Sequence, residues 1–181
     1  ECEPPERVPP MRHCLYDIEV RQGGDGPPVV SKEGTERADN DVTAVTAYDT
    51  YTSEYHTWML IHPDWDRETV EYVRQFDGLP SDCLHIYDNP SDVVAQFCQW
   101  VTERDFDSLC GWAASGVDHP YLVNYGLSNG VGAVYDLAPV GRVYDMDGSG
   151  NWINGSLKGR QLLDLMTLYQ KTRVSELDSY R

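Results

Sequence analysis

Leu15-Tyr16-Asp17-Ile18-Glu19-Val20 sets two carboxylates one residue apart inside a short apolar run. Aromatic and β-branched neighbours favour a strand. On a strand, residues i and i+2 share a face, so Asp17 and Glu19 stand side by side. Like charges in an apolar setting repel, and a divalent cation is the simplest compensation. Carboxylate oxygens suit Mg²⁺ or Mn²⁺. The competing interpretation is the solvated face of an edge strand, because so short a pattern is common.

Working outward, apolar and polar runs predict a strand near 14–20 and a polar loop from Gln22 to about Asn40. Val42–Tyr48 and Tyr55–Ile61 read as strands joined by a polar turn, giving three consecutive antiparallel strands. Residues 66–76 predict a short helix with Val70, Val73 and Phe76 on one side, and Leu84–Tyr87 a further strand. Asn89-Pro90-Ser91-Asp92 starts a helix, with Ser91 or Asp92 as N-cap and Val94, Phe97, Trp100 and Val101 at helical spacing. Ser108–Trp112 predicts a buried strand. Asp118-His119-Pro120 predicts the start of a second helix, with Tyr121, Leu122 and Tyr125 inward. Residues 128–157 read as an irregular or hairpin-like insertion, and Arg160–Met166 fits strand or helix equally. Strands followed by alternating strands and helices define an α/β fold with a mixed sheet flanked by helices.

At 181 residues the chain can bury one real core. No apolar run is long enough to span a bilayer, so no membrane partner is expected. The start Glu1-Cys2-Glu3-Pro4-Pro5 and the end at Arg181 read as cuts from a longer protein. Five cysteines without a C-x-x-C pair, with Cys98 and Cys110 in apolar runs, suggest core thiols in a reducing setting.

Thirty acids against fourteen bases give a net charge of −16. The lysines are Lys32, Lys158 and Lys171. Such a surface repels itself in dilute salt. In molar salt the Debye length shrinks to about 3 Å, and the repulsion is screened. The acids are spread along the chain, which points to a salt-rich cytoplasm rather than to an acidic tail.

A second motif begins at Gly111-Trp112-Ala113-Ala114-Ser115-Gly116-Val117-Asp118 and continues His119-Pro120-Tyr121-Leu122. Together with Asp17-Ile18-Glu19 it resembles the 3′–5′ proofreading exonuclease domain of family B DNA polymerases. Asp17, Ile18 and Glu19 match that family's first exonuclease motif. Gly111, Trp112, Asp118, Pro120, Tyr121 and Leu122 match the second, G-[WY]-N-x-x-x-[FY]-D-x-P-Y-L. The stretch from Gly159-Arg160-Gln161-Leu162-Leu163-Asp164 to Arg181 resembles the segment before the third motif. That tail and the acidic bias look most like a haloarchaeal member.

The resemblance implies a ribonuclease H-like fold, truncated at its C-terminal end. It implies residues 1–13 as an extended lead-in from a preceding domain and 14–181 as the exonuclease-like domain. It also implies two-metal hydrolysis of the 3′-terminal phosphodiester of DNA. Two cations about 3.5–4 Å apart stabilise attacking and leaving oxygens. By the resemblance Asp17 bridges the metals, Glu19 holds one, and Asp118 helps hold the second. The implied partners are a single-stranded DNA 3′ end and the other polymerase domains, with a cytoplasmic, nucleoid-associated location.

Two departures bear on activity. Ala113 stands where the family has Asn, and Val117 where it has an aromatic. The third motif, Y-x-x-x-D, does not occur within residues 1–181. Weak metal binding and poor cleavage by this chain are therefore expected. A non-catalytic DNA-positioning scaffold is the rival class, and a free-standing nuclease of the same fold a third.

Other residues have plainer assignments. Local sequence makes Asp118 a helix N-cap. His119 reads as an exposed helix-start residue. Asp145–Asn151 resembles half of a calcium loop but fits a turn better. Trp58, Trp100 and Trp112 are assigned to the core, and Trp65 and Trp152 to loops, as anchors or base-stacking residues. Arg12, Arg21, Arg142 and Arg160 are candidates for phosphate contact, with surface solubility the plainer role.

Overall fold

The structure is a computed structural model that describes residues 10–23, 29–76, 78, 82–140 and 157–172, and the backbone of 145–146 and 152–153. Its centre is strand β1 (His13–Val20). Cys14, Tyr16 and Ile18 point into the core, while Leu15, Asp17 and Glu19 face outward. The alternation read from the sequence is the pleat itself.

β2 (Val42–Asp49) and β3 (Glu54–Leu60) follow in antiparallel order, as expected. β4 (Leu84–Tyr87) runs parallel to β3 at one edge. On the other side of β1, β5 (Ser108–Gly111) and β8 (Gln161–Asp164) run parallel to it. The sheet order is β4-β3-β2-β1-β5-β8, which makes β1 an interior strand. The edge-strand interpretation of Asp17 and Glu19 is thereby overturned. A separate antiparallel pair, β6 (Asp145–Met146) and β7 (Trp152–Ile153), lies within the Gly-rich stretch.

Helix α3 (Pro90–Arg104) covers β2 and β3, burying Val93, Val94, Phe97, Cys98 and Val101. The Phe97 ring sits 5.4 Å from that of Tyr16. Its N-cap is Asn89, which accepts from the Ser91 amide at 3.0 Å, not Ser91 or Asp92. Pro90 supplies no amide to the first turn, so the cap falls before it, two residues ahead of Ser91.

The polar stretch 22–40 holds a helix, α1 (Lys32–Arg37). Ser31 caps it by accepting from the Gly34 amide at 3.0 Å. Gly34 within it hid the helical signal. Helix α2 (Arg67–Arg74) is shorter than the expected 66–76 and buries no residue; Phe76 lies beyond it and is exposed.

Helix α4 (His119–Ser128) buries Tyr121, Leu122 and Tyr125, as anticipated. Gly126 is needed there, because a Cβ would meet Val134 Cγ1 at 2.3 Å. That close approach seats α4 on a 3₁₀ segment at Gly132–Leu137. The ambiguous run 160–166 divides between both candidates, β8 and then α5 (Leu165–Thr172).

Several side chains differ from expectation. Trp58 is buried and Trp100 partly so, but Trp112 is 40% exposed. Trp65 is half-buried beside His62, while the side chain of Trp152 lies outside the described residues. Cys98 and Cys110 are buried thiols, and Cys14 and Cys83 are also free. Arg160 is buried: its guanidinium donates to the carbonyls of Phe106 at 2.6 Å and Leu137 at 2.7 Å. It staples two loops and is neither a surface solubiliser nor free for phosphate. Arg12 is spent on an ion pair with the buried Asp49. Arg21 approaches Asp41 at 3.6 Å. Arg142 and most of the calcium-like loop lie outside the described residues.

Candidate carboxylate site

Strand register places the acidic residues at one end of the sheet. Leu15 of β1 pairs with Cys110 of β5, and Gly111 of β5 pairs with Asp164 of β8. β1 then continues through Asp17 and Glu19, past the end of β5. The carboxyl ends of neighbouring parallel strands form a crevice where ligands bind in open α/β sheets.

Asp118 follows β5 through a tight turn. After Gly111, the chain winds through a π-helical turn, Ala114–Asp118, that runs straight into α4. Such turns are rare and concentrate at functional sites. Gly111 makes room: a Cβ there would meet the Tyr16 carbonyl oxygen at 2.8 Å and Asp118 Oδ2 at 3.4 Å. The glycine of the second motif is thus a close-approach residue between β1 and Asp118.

Asp118 is not a helix cap. Its backbone is already helical, and its side chain makes no capping bond. It is 6% exposed, and its Oδ2 is buried without a hydrogen-bond partner. Burial pushes its carboxyl up to about 7, helped by the charges of Asp17, Asp164 and Glu19. Those influences place the four carboxylates in one electrostatic neighbourhood. Asp17 and Glu19 themselves are exposed, so the desolvation cost anticipated for them falls on Asp118.

Sequence alone does not single out Asp164. It ends an apolar strand, as Asp17 interrupts one, and that was the available signal. Its Oδ2 accepts from the Ser115 amide at 3.0 Å and the Ser115 hydroxyl at 2.7 Å. Its Oδ1 accepts from the Thr167 amide at 2.8 Å, in the first turn of α5. Burial raises this carboxyl, but the Thr167 and Ser115 bonds outweigh it and hold it below the ordinary value.

His119, expected at the surface, is fully buried, and neither ring nitrogen has a partner. Burial lowers its pKa to about 4, so it is neutral at pH 7. It is no exposed acid–base group. Trp112, just past β5, is exposed, its ring 5.8 Å from that of Tyr169 on α5.

The donor set is of the kind that hard divalent cations take. Asp17, Glu19 and Asp118 offer hard oxygen ligands, and a buried unpartnered carboxylate oxygen is what a bound cation satisfies. The residues fit such an ion in kind. Among the described residues, no three such side chains already converge on one point.

This is an α/β protein whose six-stranded mixed sheet carries Asp17, Glu19 and Asp164 toward the carboxyl ends of the parallel strands β1 and β8. Its sequence is similar to a DNA-directed DNA polymerase of Enterobacteria phage T4, at 26% identity over 189 residues. The match covers 94% of this chain and 20% of that polymerase. Its fold is similar to the family B DNA polymerase of the hyperthermophilic archaeon Pyrobaculum calidifontis, with a TM-score of 0.57 and 22% identity. That likeness covers 94% of this chain and 18% of the other. The chain therefore spans about a fifth of the length of these relatives. No family model matches it. No helix among the described residues is long and apolar enough to cross a membrane.

Proposed function

We propose that residues 14–181 are the exonuclease segment of a family B DNA polymerase, with a ribonuclease H-like fold acting on the 3′ end of single-stranded DNA. The observation that carries this reading is Asp118: a buried carboxylate with an unpartnered oxygen, within electrostatic reach of Asp17 and Glu19. The similarity to two DNA polymerases supports it.

Asp17, Glu19 and Asp118 would hold Mg²⁺ or Mn²⁺. Bound there, the cations would supply charge stabilisation and a nucleophile from water for phosphodiester hydrolysis. Asp118 would shed its proton as it takes up an ion, because an adjacent positive charge favours the carboxylate. Ala113 supplies no amide where the family's Asn would bind substrate or brace the site. Weak metal binding and slow cleavage by this chain follow. The grip on DNA would come mostly from other polymerase domains, since a chain of net charge −16 repels a polyanion. Such a surface suits a salt-rich cytoplasm of haloarchaeal type.

The test is Mn²⁺ titration of the 181-residue chain in molar KCl, with Asp17→Ala as control. Binding that the substitution abolishes supports the carboxylate centre. A folded chain that binds no Mn²⁺ favours the second reading, a DNA-positioning scaffold, which Ala113 independently suggests.

A further inference from the structure

Asp164 is too heavily engaged to act as another free ligand. One oxygen takes both donors of Ser115, and the other caps α5 through Thr167. Ser115 lies in the π-helical turn, three residues before Asp118. Within that turn Val117 donates back to the Ala113 carbonyl at 2.9 Å, and the His119 amide to that of Ala114. The turn is therefore tied to β8 and α5 by Ser115, and to itself by backbone bonds. Ala113, at its entrance, has no side-chain donor or acceptor.

We infer that Asp164 is a positioning residue for Asp118, acting through Ser115 and the Ala114–Asp118 turn. A π-helical turn is intrinsically disfavoured, and an outside anchor holds it in that form. A carboxylate that takes an amide and a hydroxyl from one residue fixes both backbone and side chain, and such charge-assisted bonds are the strong ones. The Ser115–Asp164 link thus anchors the turn one way, while Ala113 adds no side-chain bond of its own. The proposal rests on Asp118 being a working residue of the candidate site, but the turn can be examined without any metal.

The experiment uses the full 181-residue chain in molar KCl and compares wild type with Asp164→Asn, Ser115→Ala and Ser115→Thr. Amide hydrogen exchange is followed at Ser115, Val117 and His119 without metal, and Mn²⁺ affinity is measured alongside. Loss of a charge-assisted bond should speed exchange in the turn by roughly tenfold to a hundredfold in Asp164→Asn and less in Ser115→Ala. Ser115→Thr, which keeps the hydroxyl, should restore protection relative to Ser115→Ala. Ser115→Ala leaves the Thr167 bond to the other oxygen, so it isolates the turn should Asp164→Asn unfold. Mn²⁺ affinity should fall in step with lost protection. Unchanged exchange across 114–119 in folded Asp164→Asn and Ser115→Ala would overturn the inference. So would loss of Mn²⁺ binding with the turn still protected, because Asp164 would then be a ligand itself. If the wild type binds no Mn²⁺ but the turn loosens as described, the positioning role stands and the metal-site reading fails.

Discussion

Asp118 and Asp164 feel one another's charge from opposite hydrogen-bonding environments. Asp164 receives the Ser115 amide, the Ser115 hydroxyl and the Thr167 amide, whereas Asp118 Oδ2 receives nothing. The first stays ionised because its donors favour the anion. The second is pushed up to about 7 because it is buried near like charges. Two chemically identical side chains thus divide between a well-donated anchor and an unpartnered buried acid, a division set by surroundings.

That contrast gives a pH signature. The ordinary Asp value is 3.8, and the folded value for Asp118 is about 7. Between them the folded chain binds a proton that the unfolded chain lacks. The stability this group contributes is fully present below pH 3.8 and is lost as pH rises through 7. Asp118→Asn, which stays neutral, should remove that trend. The wild-type deficit relative to Asp118→Asn should grow from pH 4 to pH 8 by up to about 4 kcal/mol. Denaturant unfolding of metal-free protein at constant high salt measures it. A constant difference across that range would contradict the raised value.

Gly111→Ala should be costly. The new Cβ would lie 2.8 Å from the Tyr16 carbonyl oxygen, backbone that cannot swing aside. Overpacking of this kind typically costs about 1–3 kcal/mol. Because Asp118 Oδ2 is also close, Mn²⁺ binding should weaken beyond what unfolding explains. Thermal unfolding and titration of the same sample separate the two effects. A variant as stable as wild type would mean β1 and β5 are less tightly apposed.

Salt dependence follows from the net charge of −16. Raising KCl from 0.1 M to molar levels shortens the Debye length from about 10 Å to about 3 Å and screens self-repulsion. The folded fraction should rise steeply over that range, followed by circular dichroism. A chain equally folded in dilute buffer would remove the halophilic interpretation.

Ala113→Asn should strengthen the site. Residue 113 precedes the π-helical turn and is half-buried, two residues past the end of β5. An added amide offers donors and an acceptor where the wild type has none. One new hydrogen bond is worth about 0.5–1.5 kcal/mol, or roughly twofold to tenfold in Mn²⁺ affinity or cleavage rate. No gain in either quantity would place the weakness elsewhere in the site.

Much of the fold was legible in the chain. The alternation around Asp17 and Glu19 marked β1, and the hairpin that follows was marked by its polar turn. The apolar spacing of Val94, Phe97 and Val101 marked α3. These signals are local and periodic, and burial of one face enforces them. The misses share a different cause. Gly34 weakened the helical signal of α1, and Pro90 shifted the cap of α3 to Asn89. Trp112 and Arg160 exchanged their expected surroundings: the aromatic is exposed at the strand end, and the cation is buried where two loop carbonyls need donors.

By itself the sequence determined which residues could form strands and helices, that Asp17 and Glu19 share a face, and that the surface is strongly acidic. Those follow from side-chain periodicity and composition, which no distant contact alters. Only the tertiary structure decided that β1 is interior, that Asp118 caps nothing, and that Asp164 holds Ser115. Each depends on pairing between segments tens of residues apart. Burial and hydrogen-bond partners, not residue type, set what a carboxylate does.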